Sequence, residues 1–256
     1  MNDYIHLIDH EGAAWVKIYS VGTSEMNDYN RAGVNNGNWS RYGAVDTLDA
    51  TLDEYKLERD RSFTFVLDKL DVDETGDALN AARALSRQTQ EVVIPEVDRY
   101  TFGVICENAG HKPEAVELTS ENIYDEISKA TEALDEACVP AENRVLVVSP
   151  KTYRIMKKSK EIVLETEIGE NMRIKGVIGN LDGMLVQRVA SFVLPDDFGF
   201  LVLHKNAAIA PTKLESFKTH EDPPGIDGFL VEGRIVYGAF ILKNKAKAIY
   251  YQSMTV

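Results

Sequence analysis

Glu91-Val92-Val93-Ile94-Pro95-Glu96-Val97-Asp98 places a proline within a long helical pattern. Small and apolar side chains recur at steps of three or four residues, at Ala78, Leu79, Ala82, Leu85, Thr89, Val92 and Val93. Asp73, Glu74 and Thr75 offer acceptors for the free N–H groups of a first helical turn. We therefore expect one helix from about residue 75 towards residue 108, kinked at Pro95, which lacks a backbone donor. A helix of about 30 residues rises ~45 Å, more than most single domains need.

A polar, glycine-rich stretch lies between two strand patterns on the amino-terminal side of this helix. Residues 15–21 are rich in β-branched and aromatic side chains, and residues 55–67 alternate, with one side formed by Leu57, Arg59, Arg61, Phe63, Phe65 and Leu67. Residues 22–46 contain too few apolar side chains to bury a face of their own. Because so long an internal loop is uncommon in a compact domain, we predict a projecting β-arm that lies on a neighbouring molecule. Periodicity alone leaves open an ordinary hairpin packed on its own core.

Short strands dominate the chain from residue 162 on and follow a mainly helical middle part, which indicates the α+β class. A second helix begins at residues 120–122 and ends before Pro140, and its apolar face carries Ile123, Ile127, Ala130, Leu134 and Cys138. Residues 144–148 form a short apolar run, typical of a buried strand. We expect a basic helix at residues 151–160 and then strands at residues 184–189, 198–204, 229–242 and 246–251. Residues 180–183 and 223–225 have the composition of turns.

The charge of the chain is strongly negative and unevenly distributed. A net charge of −13 argues against general nucleic-acid binding, which needs clustered Lys and Arg. From Glu107 to Glu142 there are ten acidic residues, opposed only by Lys112 and Lys129. This stretch is either a solvated helix face or an inner wall that repels DNA over a Debye length of about 10 Å.

The remaining composition is that of an ordinary globular chain. No run approaches the ~20 apolar residues of a membrane helix, and residues 1–6 do not begin a secretory signal pattern. Cys106 and Cys138 both fall in helical patterns, so we expect two buried thiols and a reducing compartment.

Enzyme motifs are mostly missing, so we assign no catalytic, cofactor-binding or metal-binding residue. The best candidate is His220-Glu221-Asp222, three possible metal ligands of a small hydrolase. Adjacent side chains on a strand point to opposite faces, and Pro223-Pro224-Gly225 follows, so we favour a polar loop there. His204 ends an apolar run and is expected at the end of a strand.

Four basic side chains share the expected helix at residues 151–160: Lys151, Arg154, Lys157 and Lys158. They could form a solvated face or bind phosphate. A third interpretation is that they meet an acidic face of the next subunit, since complementary patches steer association and set register.

Several segments together resemble the major capsid proteins of tailed bacteriophages. Residues 16–20, 26–31 and 60–65 resemble the extended-loop region of that family, and residues 91–98 look like its long spine helix. Residues 144–150 and 223–228 are similar to its axial and returning peripheral segments. The resemblance covers nearly the whole chain from about residue 15, and the order and spacing of the segments are more specific than any one of them.

This resemblance implies an HK97-like capsid fold with five parts. They are an N-terminal arm (1–15), an extended β-loop (16–70), a peripheral domain with the spine helix (71–118), an axial domain (119–215) and a return to the peripheral domain with C-terminal strands (216–256). Loops between residues 164 and 183 would gather around the capsomer axis. The region before Trp15 is short for the family, so an arm or a segment removed on maturation is expected to be missing.

The function implied is self-assembly into pentamers and hexamers of an icosahedral phage head enclosing double-stranded DNA. Contacts between subunits are expected from Tyr29, Arg31, Trp39, Arg59 and Arg61 of the extended loop and from the four basic side chains of the axial domain. Further expected partners are scaffolding, portal or decoration proteins, and DNA only by non-specific proximity. Assembly in the bacterial cytoplasm and residence in the virion follow, and no covalent cross-link is expected at Lys56. An encapsulin, a cellular compartment of the same fold, is the first alternative.

Overall fold

The computed structural model describes residues 15–21, 24, 26–33, 40–43, 45, 47, 50–74, 80–164 and 179–255. The chain divides into two compact units, Met1–Glu58 and Arg59–Val256. Trp39, residues 75–79 and most of the expected axial loops (165–178) lie outside the described residues.

The first unit is built on one antiparallel pair of strands. β1 (Trp15–Val21) pairs with β2 (Ala50–Lys56) in a register that joins Trp15 to Lys56 and Val21 to Ala50. The first strand is therefore confirmed. The continuous strand expected at residues 55–67 is wrong, because Leu57 and Glu58 separate β2 from β3 (Arg59–Asp68), which belongs to another sheet. Alternation continues through the break, so periodicity alone did not reveal it.

The second unit begins with a three-stranded antiparallel sheet. Its order is β3, β10 (Gly228–Tyr237) and β9 (Thr212–Glu221). Phe63, Phe65 and Leu67 are partly buried on one face of β3, whereas the residues between them are exposed. This face packs on the long helix through Val93, Val97 and Tyr100. α1 (Lys69–Glu74) follows β3.

The long helix runs without interruption from residue 81 to residue 107, about 40 Å at 1.5 Å per residue. It comprises α2 (Ala81–Gln88), a π-helical turn (Thr89–Val93) and α3 (Ile94–Glu107). Its expected beginning near residue 75 is wrong. Asp73 and Glu74 end α1, and α2 is capped by Asn80, whose side chain accepts from the N–H of Ala82 at 2.9 Å. Asparagine is a preferred residue at the start of a helix, so Asn80 could have indicated this beginning from the sequence alone.

Pro95 changes the hydrogen bonding of this helix. Proline cannot donate to the carbonyl four residues earlier. The ladder widens just before it, so that the N–H of Ile94 donates to the carbonyl of Thr89, five residues back. The sequence predicted a kink at Pro95, and the structure accommodates this proline with the π-helical turn that precedes it.

A five-stranded sheet forms the larger layer of the second unit, in the order β12-β7-β4-β6-β5. Its strands are β4 (Arg144–Val148), β5 (Asn180–Leu181), β6 (Met184–Arg188), β7 (Phe198–His204) and β12 (Ile249–Ser253). β4 is parallel to β6 and antiparallel to β7, and all five of its residues are buried. Central position explains why β4 is apolar throughout rather than alternating.

Helices cover both faces of this sheet. Leu146 and Val148 of β4 pack with α4 (Ile123–Glu136), α5 (Pro150–Met156) and α6 (Lys160–Leu164). Val145 and Val147 point to the other face and pack with Ile105 and Cys106 of α3. Successive side chains of a strand point to opposite faces, so β4 joins the two cores and fixes α5 directly after its own carboxyl end.

Two expected strands have different bounds in the structure. The run at 229–242 comprises β10 and β11 (Phe240–Ile241), which pairs with β8 (Ala208–Ile209). The run at 246–251 begins as a 3-10 helix (Lys243–Ala248) and becomes β12 only at Ile249. A further 3-10 turn spans Ser191–Val193. The turns at 180–183 and 223–225 are confirmed, with positive φ at Asp182, Gly183 and Gly225.

Cys138 is the one cysteine that departs from expectation. Cys106 is buried, and burial raises the pKa of its thiol to about 12. Cys138 is exposed, follows the end of α4 and has a φ of 54°. Its N–H donates to the carbonyl of Asp135, and the N–H of Val139 donates to that of Leu134. This is the Schellman arrangement, in which the left-handed position usually holds glycine. The apolar spacing of the sequence therefore placed Cys138 inside a helix that ends at Glu136.

Candidate assembly surfaces

The first unit exposes apolar side chains on a polar loop. Met26 is 99% exposed, and Tyr29, Tyr42 and Val45 are also exposed. The rings of Tyr29 and Tyr42 meet edge to face with centroids 5.0 Å apart. The N–H of Asn30 donates to the carbonyl of Arg41 at 3.0 Å, which joins the two sides of the loop next to these rings. The described part of the loop therefore holds a local shape while these four apolar side chains stay exposed.

Arg31 lies in a turn of this loop and is exposed. Beside it, the side chain of Asn30 accepts from the N–H of Ala32, and Gly43 adopts a φ of 95° against the side chain of Asn27. A Cβ at position 43 would lie 2.7 Å from the Cβ of Asn27, so glycine is needed there for both reasons. Of the three predicted contact residues between β1 and β2, the structure describes Tyr29 and Arg31, whereas Trp39 lies outside the described residues.

Arg59 and Arg61 line a groove between β3 and the long helix. The guanidinium of Arg59 lies 4.9 Å from the ring centroid of Tyr100, and Arg61 donates to Glu96 at 2.7 Å. This end of the groove has a volume of about 500 Å³ and also includes Arg99. Both arginines thus contact the long helix of their own chain, and the open groove leaves their outer sides accessible.

The groove continues along the long helix to an apolar end. Gln88, Val92 and Glu96 line its middle part, and the far end is lined by Phe65, Leu67, Arg83, Arg87 and Val92. Arg87 is bound to Glu91 one turn away at 2.9 Å. The result is a channel with an apolar floor and guanidinium groups at both ends.

The basic side chains of α5 surround a buried tyrosine. Tyr153 is 8% exposed, and its ring is flanked by Lys157, with Nζ 5.0 Å from the centroid, and by Arg188 of β6, with Cζ 5.3 Å from it. Each such contact is worth about 0.5–1 kcal/mol at an exposed site. Lys151, Arg154 and Lys158 are exposed on the same helix or just after it. We call these five cations the Tyr153 cation surface.

The sequence analysis missed the ring at the centre of this surface and one of its five cations. Tyr153 lies within the expected basic helix at residues 151–160, and Arg188 lies 35 positions further along the chain. They meet because β4 and β6 are parallel neighbours, with Val148 opposite Arg188. No local pattern reports that pairing.

The outer face of α4 is acidic. Asp125, Lys129, Glu132 and Glu136 are exposed and recur at helical spacing, and Asp135 lies beside them. Lys129 is bound to Asp125 at 2.9 Å and to Glu126 at 2.8 Å, and these hydrogen bonds raise its pKa. Glu132 and Glu136, four residues apart, repel each other by about 0.2–0.5 kcal/mol. The carboxyl-terminal half of α4 therefore carries negative charge that Lys129 does not offset.

The candidate metal ligands do not converge. His220 and Glu221 belong to β9 and Asp222 to the following turn, so the polar loop expected there is wrong for the first two. His220 lies 3.4 Å from Glu232, whereas Asp222 accepts from the N–H of Gly228 and lies 3.9 Å from Lys69. Among the described residues, no group of three His, Cys, Asp or Glu side chains is arranged to hold a metal ion.

His204 ends β7, as expected. Its Nδ1 accepts from the N–H of Asn206 at 3.3 Å, and burial lowers the pKa of the imidazole. Within the described part of the chain, no helix is long and apolar enough to cross a membrane.

Comparison with solved structures identifies this architecture. The capsid of the cyanophage P-SCSP1u superposes with a TM-score of 0.71 at 14% sequence identity, over 95% of this chain and 84% of the other. The chain has the fold of a phage capsid subunit. A structure from Mycobacterium phage Che8 matches this capsid fold with a TM-score of 0.71 at 21% identity, over 94% of this chain and 84% of that one. The HK97-like α+β fold expected from the sequence is thereby confirmed.

A capsid fold also occurs in a virus-like particle from Pyrococcus furiosus, which this chain matches less closely. There the TM-score is 0.53 at 12% identity, over 79% of each chain. No family model matches the sequence. No curated protein matches it either.

Proposed function

We propose that the chain is the major capsid protein of a tailed bacteriophage. In this proposal it assembles into pentamers and hexamers of an icosahedral head around double-stranded DNA. The observation that carries the proposal is the capsid fold itself, matched along 95% of the chain to a cyanophage capsid. The higher TM-score with that capsid, 0.71 against 0.53 for the Pyrococcus particle, favours a phage head over a cellular compartment.

The loop between β1 and β2 supports a role in contacts between subunits. Met26, Tyr29, Tyr42 and Val45 leave apolar surface in water, and burying such surface yields about 25 cal/mol per Å². A neighbouring subunit that covers this surface would gain that free energy. We propose that Tyr29, Arg31 and Trp39 take part in the contact.

The groove beside β3 is complementary to the amino-terminal segment (residues 1–58) of a neighbouring subunit, which we call its arm. Residues 1–58 contain ten acidic and four basic residues, whereas the groove carries Arg59, Arg61 and Arg99 above an apolar floor. An acidic partner with apolar side chains complements both features. We propose that Arg59 and Arg61 contact such an arm with the sides that do not face their own long helix.

The domain names follow from this function. In the proposed division, β3 belongs to the extended β-loop (16–70), the long helix, β10 and most of β9 to the peripheral domain (71–118 and 216–256), and α4, α5 and β4 to β7 to the axial domain (119–215). Assembly would take place in the bacterial cytoplasm and end in the virion, with scaffolding, portal or decoration proteins as further partners. Packaged DNA would meet an acidic chain and make only non-specific contacts. On this proposal the chain performs no catalysis.

Assembly of an arm variant tests the proposal. Replacing Met26, Tyr29 and Tyr42 together by serine should leave the circular-dichroism spectrum unchanged and abolish large particles in size-exclusion chromatography. The control replaces Leu70 and Phe192, two exposed apolar side chains of the second unit, by serine and should still assemble. Normal assembly of the arm variant would refute the proposed role of the loop.

The genes that lie next to this one would distinguish a phage head from a cellular compartment. Portal, terminase and protease genes would support the phage head. A neighbouring gene for a peroxidase or a ferritin-like protein would support the encapsulin instead.

A further inference from the structure

Within the part of the chain that the structure describes, the Tyr153 cation surface has no negatively charged partner. Among the described residues, none of its five cations forms an ion pair with a carboxylate. The chain as a whole has 41 acidic and 28 basic residues. Positive charge gathered in one place on so acidic a protein indicates a specific use.

Two of these cations lie against the same aromatic ring. Lys157 and Arg188 both lie about 5 Å from the centre of the same tyrosine ring. The two charges therefore lie within about 10 Å of each other, a separation at which water and 0.1 M salt screen their repulsion only in part. The ring fixes both heads on one buried support, which is the arrangement expected for a preformed site that receives carboxylates.

The acidic half of α4 offers those carboxylates. Glu132 and Glu136 form no ion pair with another described residue, and Asp135, although bound to Arg144, keeps most of its side chain exposed. These three side chains lie within five consecutive residues of one helix, so they present a rigid acidic face.

The two faces cannot neutralise each other within one subunit. Asp135 is bound to Arg144, the first residue of β4, whereas Arg188 lies opposite Val148, the last residue of β4. Four residues of strand separate these positions by about 13 Å, and α5 lies beyond Val148. A cation surface and an acidic face at opposite ends of one strand can be satisfied together by copies arranged head to tail.

We infer that the Tyr153 cation surface of one subunit binds the acidic face formed by Glu132, Asp135 and Glu136 of a second copy. The contact is heterologous, because two different surfaces of the same chain meet. Repetition of such a contact closes into a ring when the rotation between subunits allows it. The inference rests on the proposed shell function and names the surfaces that join neighbouring axial domains.

Complementary charge reversal provides the test. One variant combines Lys157→Glu with Arg188→Glu, and the other combines Glu132→Lys with Glu136→Lys. Each variant alone should need a roughly ten-fold or more higher protein concentration to assemble at 0.1 M salt. An equimolar mixture should restore assembly into even-membered rings, since reversed and unreversed faces then alternate. Circular dichroism and thermal unfolding of each variant confirm that it is folded.

A matched control separates this contact from the effect of net charge. Lys213→Glu with Lys218→Glu, both on β9, changes the net charge by the same amount as Lys157→Glu with Arg188→Glu. This control should assemble as the unmodified protein does. Assembly of both reversed variants at normal concentration would overturn the inference while leaving the shell proposal intact. Failure of the mixture to assemble would also overturn it. An unmodified protein that stays monomeric in the same buffer would contradict both proposals.

Nucleic acid is the competing partner for a basic surface. Fluorescence anisotropy with a labelled DNA duplex at 0.15 M salt compares the unmodified protein with the Lys157→Glu, Arg188→Glu variant. The two proteins should give the same anisotropy, because the surface is expected to contribute no DNA binding. Loss of DNA binding in that variant, together with normal assembly, would assign the surface to DNA and overturn the inference.

Discussion

Arg144, the first residue of β4, donates from Nη2 to Oδ1 of Asp135 in the last turn of α4, at 2.6 Å. Arg144 is 3% exposed, and its guanidinium also donates to the backbone carbonyls of Val139 and Pro140. A buried charge is tolerated only when its donors are satisfied, and here three acceptors surround it. The same side chain therefore closes the turn after Cys138 and holds the acidic face of α4 at the start of the central strand.

Removal of this guanidinium should destabilise the subunit. Arg144→Ala leaves the carbonyls of Val139 and Pro140 without their donor and is expected to lower the free energy of unfolding by about 2–4 kcal/mol. Urea unfolding followed by circular dichroism measures this. The control Arg87→Ala removes an exposed i,i+4 ion pair and should cost about 0.3–0.5 kcal/mol. Equal effects of the two substitutions would show that Arg144 does not hold the end of α4 at the start of β4.

Glycine should be better than cysteine at position 138. Cys138 has a φ of 54°, and left-handed backbone costs residues with a Cβ about 1–2 kcal/mol. Allowing for the extra freedom that glycine gives the unfolded chain, Cys138→Gly is expected to raise the free energy of unfolding by about 0.5–1 kcal/mol. Cys106→Gly, in the buried part of α3, should lower it. A destabilised Cys138→Gly variant would contradict the assigned end of α4.

Gly233 should tolerate no side chain. It lies in the middle of β10, where an added Cβ would come 2.4 Å from Cζ of Phe63 and 2.8 Å from Cδ1 of Phe217. Gly233→Ala forces these rings apart and should cost about 1–3 kcal/mol in thermal or urea unfolding. Gly103 in α3 has open space at the same position, so Gly103→Ala is expected to stabilise by about 0.5–1 kcal/mol. The reverse order of the two effects would be inconsistent with the packing of β3, β10 and β9.

His204 should make stability depend on pH on the acid side. Burial lowers the pKa of its imidazole in the folded chain below the ordinary value of 6.5. The unfolded chain therefore binds a proton more readily, and stability is lost as pH falls below about 6.5 towards the lowered pKa. His204→Gln should flatten that part of the profile when unfolding midpoints are measured from pH 7.5 to pH 5. An unchanged slope would show that other groups determine it.

Local patterns predicted the elements of this fold, and long-range pairing supplied what they missed. The long helix and α4 follow from apolar periodicity, and β4 follows from an unbroken apolar run, because each of them buries its apolar side chains. β9 was missed because its outward residues are polar: Lys218 and His220 are exposed beside β10. β3 was joined to β2 in the prediction because alternation does not reveal a change of partner strand.

The candidate surfaces were predictable to different degrees. A polar loop with apolar residues such as Met26 and Tyr29 is visible in the sequence, and so are the cations of α5. The neighbours of those cations are not, since Arg188 reaches Tyr153 only through the parallel pairing of β4 with β6. Arg59 and Arg61 were correctly placed on the same side as Phe63, but their contacts with Tyr100 and Glu96 depend on how the long helix lies on the sheet.

Electron microscopy of the purified full chain tests the central claim most directly. At high protein concentration, negatively stained fields should contain rings of five or six subunits or closed icosahedral shells, and size-exclusion chromatography should show the same large species. A protein that remains monomeric at every concentration, salt and pH tried would contradict the claim that this chain builds a shell.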